Sequence, residues 1–93
     1  MVVGVCRIAL HLPDGHSLKS KRHILSSLKT RLCAAFNVSV AELDDHDLWQ
    51  RSVLGIACIA NESRHVNRVL DQSLNMIRAV PTLELLDSRI ELL

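Results

Sequence analysis

The sequence predicts an α+β domain because four strand-like and two helix-like segments follow one another in the order β-α-β-β-α-β. That order matches the split βαβ, ferredoxin-like arrangement, in which two helices cover one face of a four-stranded antiparallel sheet and leave the other face open. No linker, low-complexity tract or internal repeat interrupts the 93 residues. A single ferredoxin-like domain spanning residues 1–93 is therefore expected.

The four strands are recognised by their apolar patterns. Val2–Leu12 has one fully apolar face and one mixed face, so the apolar face should meet the helices. Val38–Leu43 is rich in β-branched and apolar residues. Arg51–Ala60 does not alternate, which predicts burial on both faces and a central place in the sheet. Thr82–Leu93 supplies the last strand, and its polar step Asp87-Ser88 predicts a bulge or bend.

In both predicted helices an apolar stripe follows a candidate N-cap residue. The first is predicted over Ser17–Phe36, with Ser17 or Ser20 as its N-cap. The second should begin at a cap on Asn61 or Ser63. The first stripe recurs at three- and four-residue steps and comprises Leu18, Leu25, Leu28, Leu32 and Phe36.

The first helix is also the most basic part of the chain, and no Asp or Glu lies between Asp14 and Glu42. Basic side chains in the first turns add to the positive potential of a helix N-terminus instead of relieving it. We therefore interpret this helix and the loop before it as a binding site for phosphate groups of RNA or a ribosome-associated surface. The alternative is a solvated lysine-rich face. The candidate residues are Lys19, Lys21, Arg22, Lys29 and Arg31.

Two further features qualify this hypothesis. Lys21 lies near the middle of the apolar stripe, so its ammonium must extend to the surface or meet an anionic group. The chain has one Trp, one Phe and no Tyr, and the third strand lacks the aromatic pattern of RRM domains. RNA binding would therefore depend on shape and phosphate contact, with Arg7 as a weaker contributor from the open sheet face.

A rival function is a protein-interaction module. The central strand is apolar on both parities, so the open face of the sheet should invite a partner. We predict a homodimer that packs sheet face to sheet face or through an edge strand. Trp49 would serve either as a lid on the core or as an anchor in that interface.

The remaining chemistry-bearing residues do not predict an enzyme, a cofactor or a metal site. Asp44–Asp47 groups three carboxylates and an imidazole on one loop, which is read as a solvated acidic loop. The turn P-D-G-H-S-L-K-S-K-R departs from the phosphate loop of acylphosphatases, and no other catalytic fingerprint occurs. Three cysteines without a C-x-x-C pair and an apolar run no longer than Val53–Ala60 indicate a reduced, cytoplasmic protein that does not enter membranes.

Several stretches together resemble the bacterial YlxP-like family, a small conserved domain of unknown function. They are M-V-V-G-V-C-R-I-A-L-H-L-P at the start, S-L-K-S-K-R at Ser17–Arg22, F-N-V-S-V-A-E at Phe36–Glu42, and D-L-W-Q-R at Asp47–Arg51. The resemblance implies a ferredoxin-like fold, a cytoplasmic location and no established enzymatic activity. Genes of this family typically stand beside factors for translation initiation and ribosome maturation, which implies contact with RNA or the ribosome.

Overall fold

The computed structural model describes all 93 residues and confirms the predicted ferredoxin-like α+β fold. Both helices lie against one face of the sheet, and neither is long and apolar enough to cross a membrane. The elements are β1 (Val2–His11), α1 (Leu18–Ala35), β2 (Val38–Asp44), β3 (Arg51–Ala60), α2 (Ser63–Arg78) and β4 (Glu84–Leu92).

The sheet has the strand order β2-β3-β1-β4, and every neighbouring pair is antiparallel. The continuous apolar sequence of β3 is thus explained, because β3 lies between two strands and has an apolar residue on each face. Leu54, Ile56 and Cys58 are buried beneath the helices. The intervening residues of β3, including Val53 and Ile59, lie on the open face.

The core fills the space between the helices and the inner face of the sheet. β1 alternates as predicted, with Cys6, Ile8 and Leu10 buried and the residues between them more exposed. Helix α2 is packed more deeply than α1. Its inward stripe is fully or almost fully buried and consists of Val66, Val69, Leu70, Ser73, Leu74 and Ile77.

The irregularity predicted in β4 occurs, but one position earlier than expected. Ala9 faces Asp87 and Leu10 faces Leu85, so Leu86 is the extra residue. If the register of Asp87 and Ser88 continued without a bulge, Leu86 would face the core and Leu85 would face solvent. The bulge reverses this, so Leu85 packs against the core and Leu86 is exposed. The polar Asp87-Ser88 step is regular β-strand.

The two helices begin differently. The Oγ of Ser17 accepts a hydrogen bond from the backbone N–H of Ser20 at 3.0 Å, so Ser17 is the N-cap of α1. Neither predicted cap of α2 is correct, because Glu62 occupies the extended N-cap position without a side-chain capping bond and Ser63 is already helical. The start of α2 therefore depends on the packing of its apolar stripe.

Gly4 lets α2 approach β1 closely. A Cβ added at this position would lie 2.3 Å from Cγ1 of Val66, which is fully buried. At Gly55, on the opposite face, an added Cβ would lie 2.8 Å from Cδ1 of Leu43. Leu43 is 47% exposed, so its side chain has room to move aside.

We expect Gly4→Ala to lower the free energy of unfolding by about 1–3 kcal/mol, because the buried, β-branched Val66 cannot yield without disturbing the core. Gly55→Ala is the matched control and should cost less than about 1 kcal/mol, since the exposed Leu43 side chain has room to move aside and alanine lowers the conformational entropy of the unfolded chain. Urea unfolding of both variants measures the difference. Equal costs at the two sites would contradict this account of the packing.

Candidate functional site: the basic helical layer and its anchored loop

Lys21 lies on the inner side of α1 and is 1% exposed. At 100° per residue it lies within about 20° of the directions of Leu28 and Leu32, the two buried leucines of that helix. The stripe that packs α1 on the sheet therefore includes a lysine. A charge in this position needs close partners, because burial without them is costly.

The partners come from the connection between β2 and β3. The ammonium donates to the backbone carbonyl oxygens of Asp45 at 2.6 Å, Leu48 at 2.8 Å and Arg51 at 3.0 Å. The carbonyl oxygen of His46 lies at 3.3 Å. A carboxylate oxygen of Glu42 completes the group at 2.9 Å. Five acceptors share three N–H donors, so the loop backbone is wrapped around one cation.

This environment corrects the prediction for Lys21. Its ammonium is enclosed by the chain's own carbonyl groups and a carboxylate, so it cannot contact a phosphate. The sequence indicated that Lys21 must meet an anion, and the anion is Glu42, 21 positions along the chain. Lys21 is thus a structural residue.

Glu42 is held in place by two donors. The same carboxylate oxygen that meets Lys21 accepts a hydrogen bond from Oγ of Ser52 at 2.7 Å. Burial raises the pKa of Glu42, but the hydrogen bonds from Ser52 and Lys21 and the charge of Lys21 outweigh that effect and lower it below its ordinary value. The carboxylate is therefore ionised at neutral pH and balances the buried ammonium.

A second set of contacts joins this loop to the turn before α1. The backbone N–H of Leu12 donates to the carbonyl oxygen of Gln50 at 2.8 Å, and Nε2 of Gln50 donates to the carbonyl oxygen of Gly15 at 3.2 Å. Gly15 has no room for a side chain, since an added Cβ would lie 2.5 Å from the carbonyl oxygen of Trp49. The two loops therefore form one packed end of the molecule.

Two large apolar side chains of this end point outward. Trp49 is 54% exposed and Leu48 is 47% exposed. Trp49 is therefore not a lid on the core, and that alternative is wrong. Because the backbone on either side of Trp49 is fixed, the indole is presented to solvent from a rigid base.

The other predicted cations lie on two different sides of α1. Lys19, Arg22 and Lys29 fall within about 80° of one another around the helix axis. Arg31 lies at least about 120° from each of them and lines a cleft with Val80. All four are exposed, and no carboxylate lies within 4.0 Å of any of them.

The fold adds basic residues that the sequence analysis missed. Helix α2 lies in the same layer and contributes Arg64, Arg68 and Arg78 against the single acid Asp71, all exposed. The two helices together hold eight Lys and Arg and one Asp, a formal charge of +7. The rest of the chain holds three Arg and nine acids, a formal charge of −6. The cations of α2 are visible in the sequence, but only the fold shows that they lie in the same layer as those of α1.

The geometry described so far defines a small ferredoxin-like domain with a basic helical layer. The chain belongs to the family described as Protein of unknown function (DUF503), whose model matches residues 3–90. It is 32% identical over 90 residues to the Uncharacterized protein YlxP of Bacillus subtilis (strain 168), with 97% of this chain and 98% of that protein covered.

A similarity to a solved structure supports the fold alone. The De novo designed protein Foldit4 superposes with a TM-score of 0.53 at 14% identity, covering 100% of this chain and 94% of that one. The resemblance to YlxP-like proteins predicted from the sequence is confirmed by the family match and the YlxP relative.

We predict that Lys21→Met lowers the free energy of unfolding by about 3 kcal/mol, because it leaves Glu42 and several loop carbonyls without their shared donor. Hydrogen exchange of the amides between residues 44 and 51 should accelerate first. Lys29→Met, an exposed site on the same helix, is the control and should cost less than about 0.5 kcal/mol. Unchanged exchange in the loop would refute the anchoring role of Lys21.

Acid should weaken the same cluster. The pKa of Glu42 is lowered on folding, so its contribution to stability is present above the pKa of an unfolded glutamate, about 4.3, and is lost as the pH falls through the folded value. Wild-type protein should therefore be more stable than Glu42→Gln at pH 7, and this advantage should be smaller at pH 3. Urea midpoints measured at both pH values test this. A difference that stays constant with pH would show that the carboxylate charge does not matter.

Proposed function

We propose that this protein is a non-enzymatic binding module that contacts RNA, alone or within a ribosome-associated surface, through the outer face of its helical layer. The observation that carries the proposal is the charge of that layer. Seven of its eight basic side chains are exposed, with one exposed acid among them. The sequence resemblance implies that genes of this family stand beside genes for translation factors. That gene neighbourhood agrees with RNA as the ligand.

The cations of the layer are available without rearrangement. The only ion pairs of the chain are those of Lys21 with Glu42 and of His11 with Glu84, so no exposed helix cation has to leave a carboxylate in order to bind a phosphate. Lys19 and Lys29 are roughly 15 Å apart along the axis of α1, given a rise of 1.5 Å per residue. That length is enough to contact several phosphates of a folded RNA.

The mode of recognition follows from the residues present. No Trp, Tyr or Phe side chain lies on the outer faces of the two helices, so the large aromatic platforms that many single-strand binders use are missing there. Phosphate contacts fix position and orientation but do not read sequence. The module should therefore recognise the shape and charge of a structured RNA, with affinity that depends strongly on salt.

A second candidate function is favoured by the exposure of Trp49. Large aromatic side chains on a rigid base are typical of the anchors in protein interfaces, where little conformational entropy is lost on binding. Leu48 extends the same exposed surface. In this case a protein partner would bind the loop end, and the basic layer would mainly keep the protein in solution.

One binding experiment separates the two candidates. With a fluorescently labelled RNA hairpin as probe, the variant Lys19→Ala/Arg22→Ala/Lys29→Ala should lose at least about tenfold in affinity and reduce the slope of log K against log salt by about two to three. The loss is expected because three phosphate contacts and their released counterions are removed together. Fluorescence anisotropy over a range of salt concentrations provides both quantities.

The charge-conserving variant Lys19→Arg/Arg22→Lys/Lys29→Arg is the matched control and should bind like the wild type. Trp49→Ala should also leave RNA affinity unchanged. If the wild type does not bind, or if the alanine variant binds equally well, the RNA proposal fails. If Trp49→Ala abolishes binding while the cation variant does not, the interaction at the loop end is favoured instead.

A further inference from the structure

The face of the sheet opposite the helices is uncovered and has an apolar centre. A shallow groove of about 350 Å³ crosses its middle strands. Small residues form most of its floor, and Leu43 and Ile59 stand beside it about half exposed. The groove is lined on this face by Val5, Arg7, Ser39, Ala41, Leu43, Gly55 and Ala57.

Two arginines lie side by side on this face, with an acidic residue on either side of one of them. Arg7 of β1 and Arg89 of β4 are direct cross-strand partners, and like charges in that relation destabilise a sheet. Asp87 and Glu91 lie two residues before and after Arg89, on the same face. Neither acid comes within 4.0 Å of either arginine, so two cations and two anions remain unpaired beside the apolar groove.

From this arrangement we propose that the open face binds a second copy of the chain. The two sheets pack face to face about a two-fold axis that runs across the strands, between the row of Val5 and Ala57 and the row of Arg7 and Gly55. Each residue in the Val5 row of one copy therefore faces a residue in the Arg7 row of the other copy. Arg89 of each copy then meets the carboxylate of the partner's Glu91, and two interchain ion pairs form.

The apolar residues agree with the same axis. It brings Ala57 against the glycine at position 55 of the other copy, so that two sheets can approach at the usual distance of about 10 Å. It also brings Val53 of each copy against Ile59 of the other, and Ala9 against Val3. Small residues thus meet at the centre, and larger apolar residues meet around them.

The size of the face suits a reversible dimer. Four strands about 4.8 Å apart and nine residues long at about 3.3 Å per residue give roughly 550 Å² per copy, or about 1,100 Å² in total. This is the lower end of the range for specific interfaces, so a dissociation constant in the micromolar range is expected. Both basic helical layers would remain on the outside, so this inference does not depend on RNA binding.

Sedimentation equilibrium from about 1 to about 200 µM tests the inference without any RNA. The wild type should shift from monomer to dimer across this range. Arg89→Glu should weaken the dimer at least about tenfold, because it replaces two attractive interchain pairs by two repulsive ones. The charge swap Arg89→Glu/Glu91→Arg should restore it. Arg68→Glu, the same charge change on the outer face of α2, is the control and should have no effect.

Ala57→Glu gives a second test that does not depend on the β4 charges. Ala57 is partly exposed on the open face of the monomer, so the variant should fold, but it places a carboxylate at the centre of the contact and should prevent association. Circular dichroism confirms folding of each variant. A wild type that stays monomeric at the highest concentration overturns the inference, as does a dimer that survives both Arg89→Glu and Ala57→Glu.

Discussion

The buried ammonium of Lys21 is the interaction on which one end of the molecule depends. The loop carbonyls around it point toward a common centre, where they would repel one another without a cation. Glu42 supplies the compensating charge and is itself held by Ser52. Because the ammonium belongs to α1 and the carbonyls to the β2–β3 connection, the position of the helix and the shape of the loop are determined together.

The anchoring of the loop by Lys21 also explains why large apolar side chains are exposed at this end of the molecule. The loop backbone is fixed from within by Lys21 and from the side by the hydrogen bond between Gln50 and Gly15, so the side chains of Leu48 and Trp49 are not needed to hold it. Trp49 and Leu48 are consequently free to face solvent. The same lysine that the sequence suggested for ligand contact instead organises the base of an exposed aromatic surface.

Local patterns explain which features could be predicted from the sequence. The alternation of β1, the continuous apolar run of β3 and the helical stripe around Leu28 and Leu32 each appear within a short window, and the topology followed from their order. The partners of Lys21 could not be identified in this way, since they lie 21 to 30 positions later. Burial of a lysine was recognisable as a problem, but its solution required tertiary structure.

The fold brings together basic residues that are far apart in the sequence and so creates a charge asymmetry that the sequence alone does not show. Along the chain, basic residues cluster in α1 and the acids mostly follow later, but α2 lies among those acids and carries mainly arginines. The crossovers of the two βαβ halves bring both helices to one face of the sheet. Basic residues that are about 40 positions apart, such as Arg22 and Arg64, therefore belong to one layer, while most acids stay in the strands and loops.

The near-neutral total charge then decides what such a layer can do. A protein with a net charge of +1 is not drawn strongly toward RNA from far away, and charges beyond about 8 Å are screened at physiological salt. In the function proposed above, the opposed charges of +7 and −6 would act instead at short range, turning the helices toward a phosphate surface and keeping the acidic loops away from it. On that proposal the separation of charge would govern the orientation of the bound protein more than the rate of encounter.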